Sequence, residues 1–158
     1  MSLAVHLFIL YWGMLSFITP PVALGAFSAA SIAQSSPIAT GFEAMRLGVA
    51  IYLVPFLFVL NPSLIGSGAL DVMAKEVLRT GFAIALVAYA SQRVLPIMGV
   101  ISWPSAVAVF SVGLLIMMPD LMVGRLGLEP SQIWAIAGSL IAGVLAVEWA
   151  MRQAVSRA

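Results

Sequence analysis

Hydrophobic residues form long uninterrupted runs along this chain, and charged residues are confined to short stretches between the runs. No charge occurs in residues 47–70, 94–119 or 130–147. Each of these runs matches or approaches the roughly 20 apolar residues that a helix needs to cross the hydrocarbon of a bilayer. The pattern therefore predicts several membrane-spanning helices.

The first uncharged run, residues 1–42, is too long for one helix, and prolines divide it. A helix is predicted over about residues 3–17, ending at the Thr-Pro-Pro break of residues 19–21, because a proline lacks the N–H that its turn of helix needs. A second apolar piece follows at residues 22–33. At about 12 residues this piece is too short to span a membrane, and the sequence AQSSP ends it. Its length and its flanking residues predict a re-entrant or half-helix.

Four more helices are expected in the rest of the chain. The predicted ranges are about 41–60, 71–91, 104–118 and 131–151. Thr40 and Glu43 have the spacing of a capping box at the first of these helices. Ser102 can cap the third helix, and Glu148 and Arg152 have the i,i+4 spacing of an ion pair at the exit of the last. The predicted fold class is an all-α integral membrane protein with about five membrane-spanning helices plus one short re-entrant or half-helix.

Composition supports a membrane protein and narrows the possible chemistry. The 158 residues are 63% hydrophobic and 8% charged, with a mean hydropathy of +1.13, far outside the range of soluble proteins. The chain has no cysteine, which excludes disulfides, Cys-ligated metal and thiol catalysis. A net charge of +1 argues against a nucleic-acid partner. The single histidine, His6, has no acidic neighbour in the sequence, so we expect neither an enzyme nor a cofactor.

The Thr-Pro-Pro break removes hydrogen bonds that a bilayer makes compulsory. Pro20 cannot donate to the carbonyl of Ser16, and Pro21 cannot donate to the carbonyl of Phe17. Unpaired carbonyls at membrane depth persist only where they are buried in protein or line a watery cavity. Together with the hydroxyls of Ser16 and Thr19, they would form a neutral nest of oxygen ligands, as in transporters that hold Na⁺ at broken helices. A proline hinge, or a short loop in a helical hairpin, is the alternative interpretation.

Two segments of the sequence resemble a known protein family. The sequence HLFILYWGMLSFITPPVALGAFSAASIA, followed by TGFEAMRLGVAIYLVPFLFVLNPSL, closely resembles the large membrane subunit of TRAP (tripartite ATP-independent periplasmic) transporters. The likeness is strongest to the C-terminal part of fused permeases that work with TAXI-type receptors, and it covers about residues 5–64. It implies a secondary transporter with an elevator-type transport domain, driven by an inward Na⁺ gradient. The implied Na⁺ site maps onto Thr19, Pro20, Pro21 and Val22, beside the Ser16 predicted above.

The resemblance also implies an organisation and a set of partners. Residues 1–64 would be the end of the transport core, and residues 65–158 a C-terminal membrane extension with about three helices. The chain would lie in a bacterial or archaeal inner membrane as a multi-pass protein, with Na⁺ as the coupling ion. Its partners would be the lipid bilayer, the remaining permease repeat, a small membrane subunit and an extracytoplasmic receptor that delivers small organic solutes such as organic acids. Because the sequence has one Thr-Pro-Pro segment, a truncated or split module that assembles with or regulates a partner permease is the alternative.

Two pairs of charged residues are further candidates for a site. Glu43 and Arg46, three residues apart, could form a buried gate, although an ion pair at the membrane interface is the simpler interpretation. Asp120 and Arg125 flank Gly124 in a loop and predict a solvated turn.

Overall fold

The alternation of apolar runs and breaks produces a chain of helices. The structure, a computed structural model, describes residues 2–96, 99–118, 127 and 130–156. The described helices are α1 (Ser2–Leu15), α2 (Leu24–Ile32), α3 (Pro37–Leu47), α4 (Val54–Leu60), α5 (Leu70–Gln92), α6 (Trp103–Met117) and α7 (Pro130–Ser156). Short 3₁₀ helices occupy Val49–Tyr52 and Pro62–Ile65. Asp120 and Arg125, the predicted solvated turn, lie outside the described residues.

The described chain divides into two compact units, Met1–Val77 and Leu78–Ala158. In the first unit, α1 packs against α4 and α2 packs against α3. Helix α1 ends at Leu15, two residues earlier than predicted, because Ser16 to Ile18 form tighter i→i−3 hydrogen bonds of 3.1–3.3 Å before the prolines. The short helix predicted after the break is present as α2.

The single helix predicted over residues 41–60 is wrong. The chain there forms α3, a 3₁₀ turn and α4, and the two helical pieces are bent by 68°. Pro55 lies in the first turn of α4 and has no N–H to donate to the carbonyl of Ile51, so a continuous helix cannot form through it. Gly48 is the C-cap of α3. The second uncharged run is therefore broken by a proline, as the first one is.

The capping box predicted at Thr40 and Glu43 is also wrong. Helix α3 begins at Pro37, with Ser36 as the N-cap residue, so Thr40 lies inside the helix. The Thr40 hydroxyl donates to the carbonyl of Ser36 at 2.9 Å and contacts the Ser35 hydroxyl at 3.0 Å. Proline is pre-organised for the first helical turn, and this favours the earlier start.

In the second unit, α6 packs against α7, and α5 and α6 approach closely at Gly113. A Cβ added at Gly113 would lie 2.7 Å from a methyl group of Val87. The link between α5 and α6 contains a pair of two-residue antiparallel strands, β1 (Val94–Leu95) and β2 (Gly99–Val100), which the sequence pattern did not predict. The fold is otherwise all-α in the part of the chain that the structure describes.

Glu148 and Arg152, the predicted exit pair, attract each other electrostatically, and each also binds the segment before α6. Oε1 of the buried Glu148 accepts the backbone N–H of Ser102 at 2.7 Å, and Nη2 of Arg152 donates to the carbonyl of Val100 at 2.8 Å. Ser102 is the N-cap residue of α6, but its hydroxyl donates to Ser105 Oγ at 2.9 Å and makes no cap bond. A carboxylate from α7 therefore binds an N–H at the start of α6.

Membrane-spanning length is reached by few of the described helices. One helix, Ser131–Ala154, is long and apolar enough to cross a membrane alone, and the bent pair Pro37–Leu47 and Val49–Leu60 is a second candidate if it forms one broken span. Leu3–Leu15 and Trp103–Met117 are apolar but shorter. The expectation of about five spans stays a prediction.

Two ion pairs, one of them the predicted pair of Glu43 and Arg46, are exposed. Arg46 Nη1 lies 3.0 Å from Glu43 Oε1, with both side chains about half exposed. Lys75 Nζ lies 3.7 Å from Asp71 Oδ2 in the first turns of α5. The exposure of Glu43 and Arg46 favours the interfacial ion pair over a buried gate.

Candidate functional site

Of the two carbonyls predicted to be unpaired at the Thr-Pro-Pro break, one has hydrogen-bond partners in the described part of the chain and the other has none. The carbonyl of Phe17 accepts the N–H groups of Gly25 at 3.0 Å and Ala26 at 3.3 Å, at the start of α2. The prediction that Phe17 is left unpaired is therefore wrong, because α2 folds back onto it. The carbonyl of Ser16 has no hydrogen bond within the described residues. The backbone oxygen of Ser16 is thus available to a ligand.

The Thr19 hydroxyl occupies the centre of the break. Its oxygen lies 2.6 Å from the carbonyl of Leu15 and 2.6 Å from the phenolic oxygen of Tyr52. A threonine hydroxyl has one hydrogen, and the Leu15 carbonyl can only accept, so the hydrogen of Thr19 goes to Leu15 and Tyr52 donates to Thr19. One of the two lone pairs on Thr19 Oγ1 then remains for a further ligand.

A cavity of about 250 Å³ opens at the break. Its lining residues are Trp12, Leu15, Ser16, Thr19, Pro20, Pro21 and Val22. The structure thus places all five sequence-predicted site residues around one cavity. The Ser16 hydroxyl donates to the carbonyl of Gly13 at 2.6 Å, so this group too offers oxygen lone pairs and no free hydrogen. None of the lining side chains is ionisable, so the oxygens that face the cavity are neutral.

The backbone at the start of α2 is held in a conformation that is costly for its residue. Ala23 precedes α2 with φ 35° and ψ 41°, in the left-handed region, and its side chain is fully buried. A non-glycine residue there costs roughly 1–2 kcal/mol. Hydrogen bonds on both sides of Ala23 hold the conformation: its N–H donates to Thr19 at 3.0 Å and its carbonyl accepts from Phe27 at 2.8 Å. The Pro20–Pro21 peptide bond within this segment is cis.

Two glycines of α3 let that helix pack directly on the break. A Cβ added at Gly41 would lie 2.8 Å from Pro20 Cγ, and one added at Gly48 would lie 2.8 Å from Ile18 Cδ1. The two glycines are seven residues apart, about two helical turns, and so lie on the same face of α3. That spacing is the signal in the sequence that could have identified Gly41, which the sequence reasoning missed.

Tyr52 is the second residue that the sequence reasoning missed. It lies in the 3₁₀ turn between α3 and α4, where its ring contacts the ring of Trp12 edge-on at a centroid distance of 6.5 Å. Trp12 also contacts Phe56 of α4 edge-on at 6.1 Å, and Phe8 contacts the same Phe56 at 5.3 Å. These aromatic contacts between α1 and α4 position the Tyr52 hydroxyl at the break. No local feature of the sequence indicated a pairing across 33 residues.

The comparison with protein families matches the first part of the chain. Residues 2–70 match the family described as "Tripartite ATP-independent periplasmic transporter, DctM component". The matched region covers less than half of the 158-residue chain and includes α1 to α4, with the whole candidate site. This region is similar to a membrane component of a transporter, which agrees with the resemblance noted from the sequence. No curated protein and no solved structure was found to match the chain.

Proposed function

We propose, from the similarity of residues 2–70 to a TRAP transporter component, that the chain is part of a Na⁺-coupled secondary transporter. The transported solutes would be small organic compounds, organic acids among them, delivered by an extracytoplasmic receptor. The observation that carries the proposal is the cavity at the Thr-Pro-Pro break, which combines neutral oxygen atoms with a complete absence of ionisable lining side chains.

The oxygens at the break suit a small monovalent cation. Thr19 Oγ1 retains one lone pair, and the carbonyl of Ser16 has no partner in the described part of the chain. Unwound backbone carbonyls at discontinuous helices coordinate Na⁺ in secondary transporters. A proton would need an ionisable carrier, and no side chain of that kind lines the cavity. Na⁺ is therefore the coupling ion we infer, held by Ser16, Thr19 and the backbone of residues 20–22.

Two helical breaks meet at this site. Their meeting supports the proposal that this part of the chain moves when the ion binds. The break after α1 and the bend between α3 and α4 are joined by the hydrogen bond between Thr19 and Tyr52. An ion that binds Thr19 changes the electron density on the oxygen that Tyr52 donates to. Ion binding at the site would thereby affect the bend between α3 and α4, and a change in the bend would change the orientation of α4.

The remaining organisation follows from the same proposal. The chain would be a multi-pass protein of a bacterial or archaeal inner membrane, in a permease of the fused TAXI type. It would need the other permease repeat, the small membrane subunit and the receptor, because alternating access moves one repeat against another around a shared site. We therefore expect the chain reconstituted alone in liposomes not to transport.

Replacing Thr19 with Val tests the proposed site. Valine keeps the size and branching of threonine and removes the hydroxyl. In the assembled permease, Thr19→Val should raise the Na⁺ concentration needed for half-maximal solute uptake. Thr40→Val is the matched control, because the hydrogen bonds of the Thr40 hydroxyl within the described residues go to residues 35 and 36 at the start of α3. Membrane abundance of each variant is measured by immunoblotting, so that lost protein is distinguished from lost ion affinity.

The outcome separates the ion nest from a proline hinge. A hinge needs no hydroxyl, so Na⁺ dependence would then be the same for Thr19→Val and Thr40→Val. A purified chain provides a second readout: Na⁺ but not K⁺ at equal ionic strength should raise the midpoint of its thermal unfolding, since a ligand that binds only the folded state stabilises it. Absence of a Na⁺-specific shift together with unchanged uptake would refute the site.

The alternative function is a membrane module that assembles with or regulates a partner permease. The observation in its favour is that the second compact unit, Leu78–Ala158, lies entirely beyond the residues that match the transporter family. In this case the chain would co-purify with an intact permease whose Na⁺ dependence Thr19→Val leaves unaltered.

A further inference from the structure

A shallow apolar groove on the second unit ends at an arginine and a tryptophan. The groove has a volume of about 280 Å³, and its lining residues are Ala90, Ser91, Trp103, Ala106, Val107 and Phe110. Ala90 and Ala106 are buried, and their small side chains leave the depression between α5 and α6. Apart from the Ser91 hydroxyl and the Trp103 indole N–H, the lining side chains are hydrocarbon. The groove therefore favours an apolar occupant.

Arg93 is held beside the groove by an unusual backbone conformation. It follows the last residue of α5 with φ 56°, in the left-handed region that helix C-termini usually fill with glycine. Its carbonyl accepts the N–H of Ile101 at 2.9 Å, and its Nη2 donates to the carbonyl of Ile101 at 3.2 Å. The guanidinium carbon lies 5.8 Å from the centre of the exposed Trp103 ring. A strained non-glycine residue at such a point is a candidate for function.

The end of the unit that contains Arg93 holds a second arginine and one carboxylate. Arg152 reaches the same segment and donates to the carbonyl of Val100 at 2.8 Å, while Oε1 of Glu148 is taken up by the N–H of Ser102. Among the described residues, Arg93 forms no salt bridge, whereas Arg152 is attracted by the carboxylate of Glu148. A guanidinium has five N–H donors, and the hydrogen bond of Arg93 to Ile101 uses one of them. An anion could therefore bind at Arg93 without breaking an ion pair.

We propose that this groove binds an anionic phospholipid, with the phosphate at Arg93 and Trp103 and one acyl chain along the groove. Basic pockets between transmembrane helices bind anionic head groups, and arginine pairs with phosphate through two parallel hydrogen bonds. Tryptophan is enriched at the level of the head groups, where its N–H meets polar groups and its ring meets hydrocarbon. A zwitterionic lipid would place its own cation near Arg93, so the charge of the site favours a lipid with net negative charge.

The test compares phosphatidylglycerol with phosphatidylcholine of identical acyl chains, bound to the full-length chain in detergent and measured by native mass spectrometry. We expect phosphatidylglycerol to bind about fivefold more tightly, the effect of roughly one basic residue near an anionic head group. Arg93→Gln should remove this preference. Arg46→Gln, the same change of charge in the first unit, should retain it. Arg93→Gln also removes a hydrogen bond to Ile101, so a second variant, Trp103→Leu, is needed. Trp103→Leu should weaken lipid binding. The midpoint of thermal unfolding confirms that this variant is folded.

Brominated phosphatidylglycerol locates the acyl chain. The fluorescence of Trp103 is the part of the signal that Trp103→Leu removes. The brominated lipid should quench this part in the wild-type chain. Excess inorganic phosphate should not relieve the quenching if the acyl chain is bound. Equal affinity for the two lipids, equal weakening by Arg93→Gln and Arg46→Gln, or displacement of the lipid by inorganic phosphate would overturn the proposal. The proposal would also be overturned if Trp103 were shielded from quenching only in dimers of the chain. The occupant of the groove would then be a second copy of the chain.

Discussion

The phenolic oxygen of Tyr52 lies 2.6 Å from the hydroxyl oxygen of Thr19, and this hydrogen bond joins two helical breaks. One break follows α1, and the other separates α3 from α4 with a bend of 68°. Because the single hydrogen of Thr19 goes to the carbonyl of Leu15, Tyr52 is the donor to Thr19. Tyr52 therefore determines the orientation of the threonine oxygen that faces the cavity.

Tyr52→Phe should weaken the candidate site without removing its threonine oxygen. The change deletes one hydrogen bond, worth about 1 kcal/mol, and keeps the edge-on contact of the ring with Trp12. We expect a lower midpoint of thermal unfolding and a higher Na⁺ concentration at half-maximal uptake. Tyr11→Phe is the control, because the Tyr11 ring packs on Phe58 and its hydroxyl has no hydrogen bond within residues 2–96. Equal effects of the two substitutions would contradict a role for the Tyr52 hydroxyl.

Replacing both Pro20 and Pro21 with Ala should abolish Na⁺ coupling while the protein remains in the membrane. The N–H restored at residue 20 could bind the carbonyl of Ser16, which would extend α1 and remove a free oxygen from the cavity. The carbonyl of Phe17 is already bound by α2, so an extended α1 would compete with the start of that helix. The measurement is Na⁺-dependent solute uptake, relative to the amount of the permease in the membrane. Pro37→Ala serves as the control, since a proline in the first turn of α3 replaces no hydrogen bond. Equal Na⁺-coupled uptake by the double variant and by Pro37→Ala would argue against the prediction.

Gly41→Ala should displace the break from α3. The added methyl carbon would lie 2.8 Å from Pro20 Cγ, so the helix or the proline must move, and overpacking of this kind costs roughly 1–3 kcal/mol. Gly138→Ala is the matched control in α7, where no heavy atom of the described part lies within 4 Å of the new carbon. Unfolding of the purified chain in detergent should show Gly41→Ala less stable than the wild type and Gly138→Ala at least as stable. A Gly41→Ala chain with wild-type stability would mean that α3 does not contact the break as described.

Glu148→Ala should destabilise the second unit by leaving the part-buried N–H of Ser102 without its acceptor. The loss of a charged acceptor from such a donor costs about 1–3 kcal/mol. Glu148→Gln keeps a side-chain oxygen at the same position and should cost less. Glu43→Ala provides the comparison, since the exposed pair with Arg46 contributes at most about 1 kcal/mol. These free energies are measured by denaturant unfolding of the chain in micelles, and equal losses for Glu148→Ala and Glu43→Ala would show that the cap is not important.

Local properties of the sequence predicted much of the fold and the location of the candidate site. Runs of apolar residues predicted the helices, and the two adjacent prolines predicted where α1 ends, because both effects act within a few residues of the chain. The same reasoning identified Ser16, Thr19, Pro20, Pro21 and Val22, which the structure places around one cavity. It does not predict the bend before α4, although Pro55 is visible in the sequence, because an uncharged run of spanning length is equally typical of a single helix.

Composition and the two adjacent prolines are enough to predict an apolar, helical chain that is broken at residues 19–21 with no ionisable side chain at the break. Which oxygens at the break remain free depends on contacts between distant parts of the chain. Phe17 is paired because α2 folds back onto it, and Thr19 is oriented by Tyr52, 33 residues away. Glu148 binds an N–H 46 residues earlier in the chain for the same kind of reason. Hydrogen bonds between distant residues depend on how helices pack, and packing arises from the fit of many side chains at once, which local periodicity does not contain.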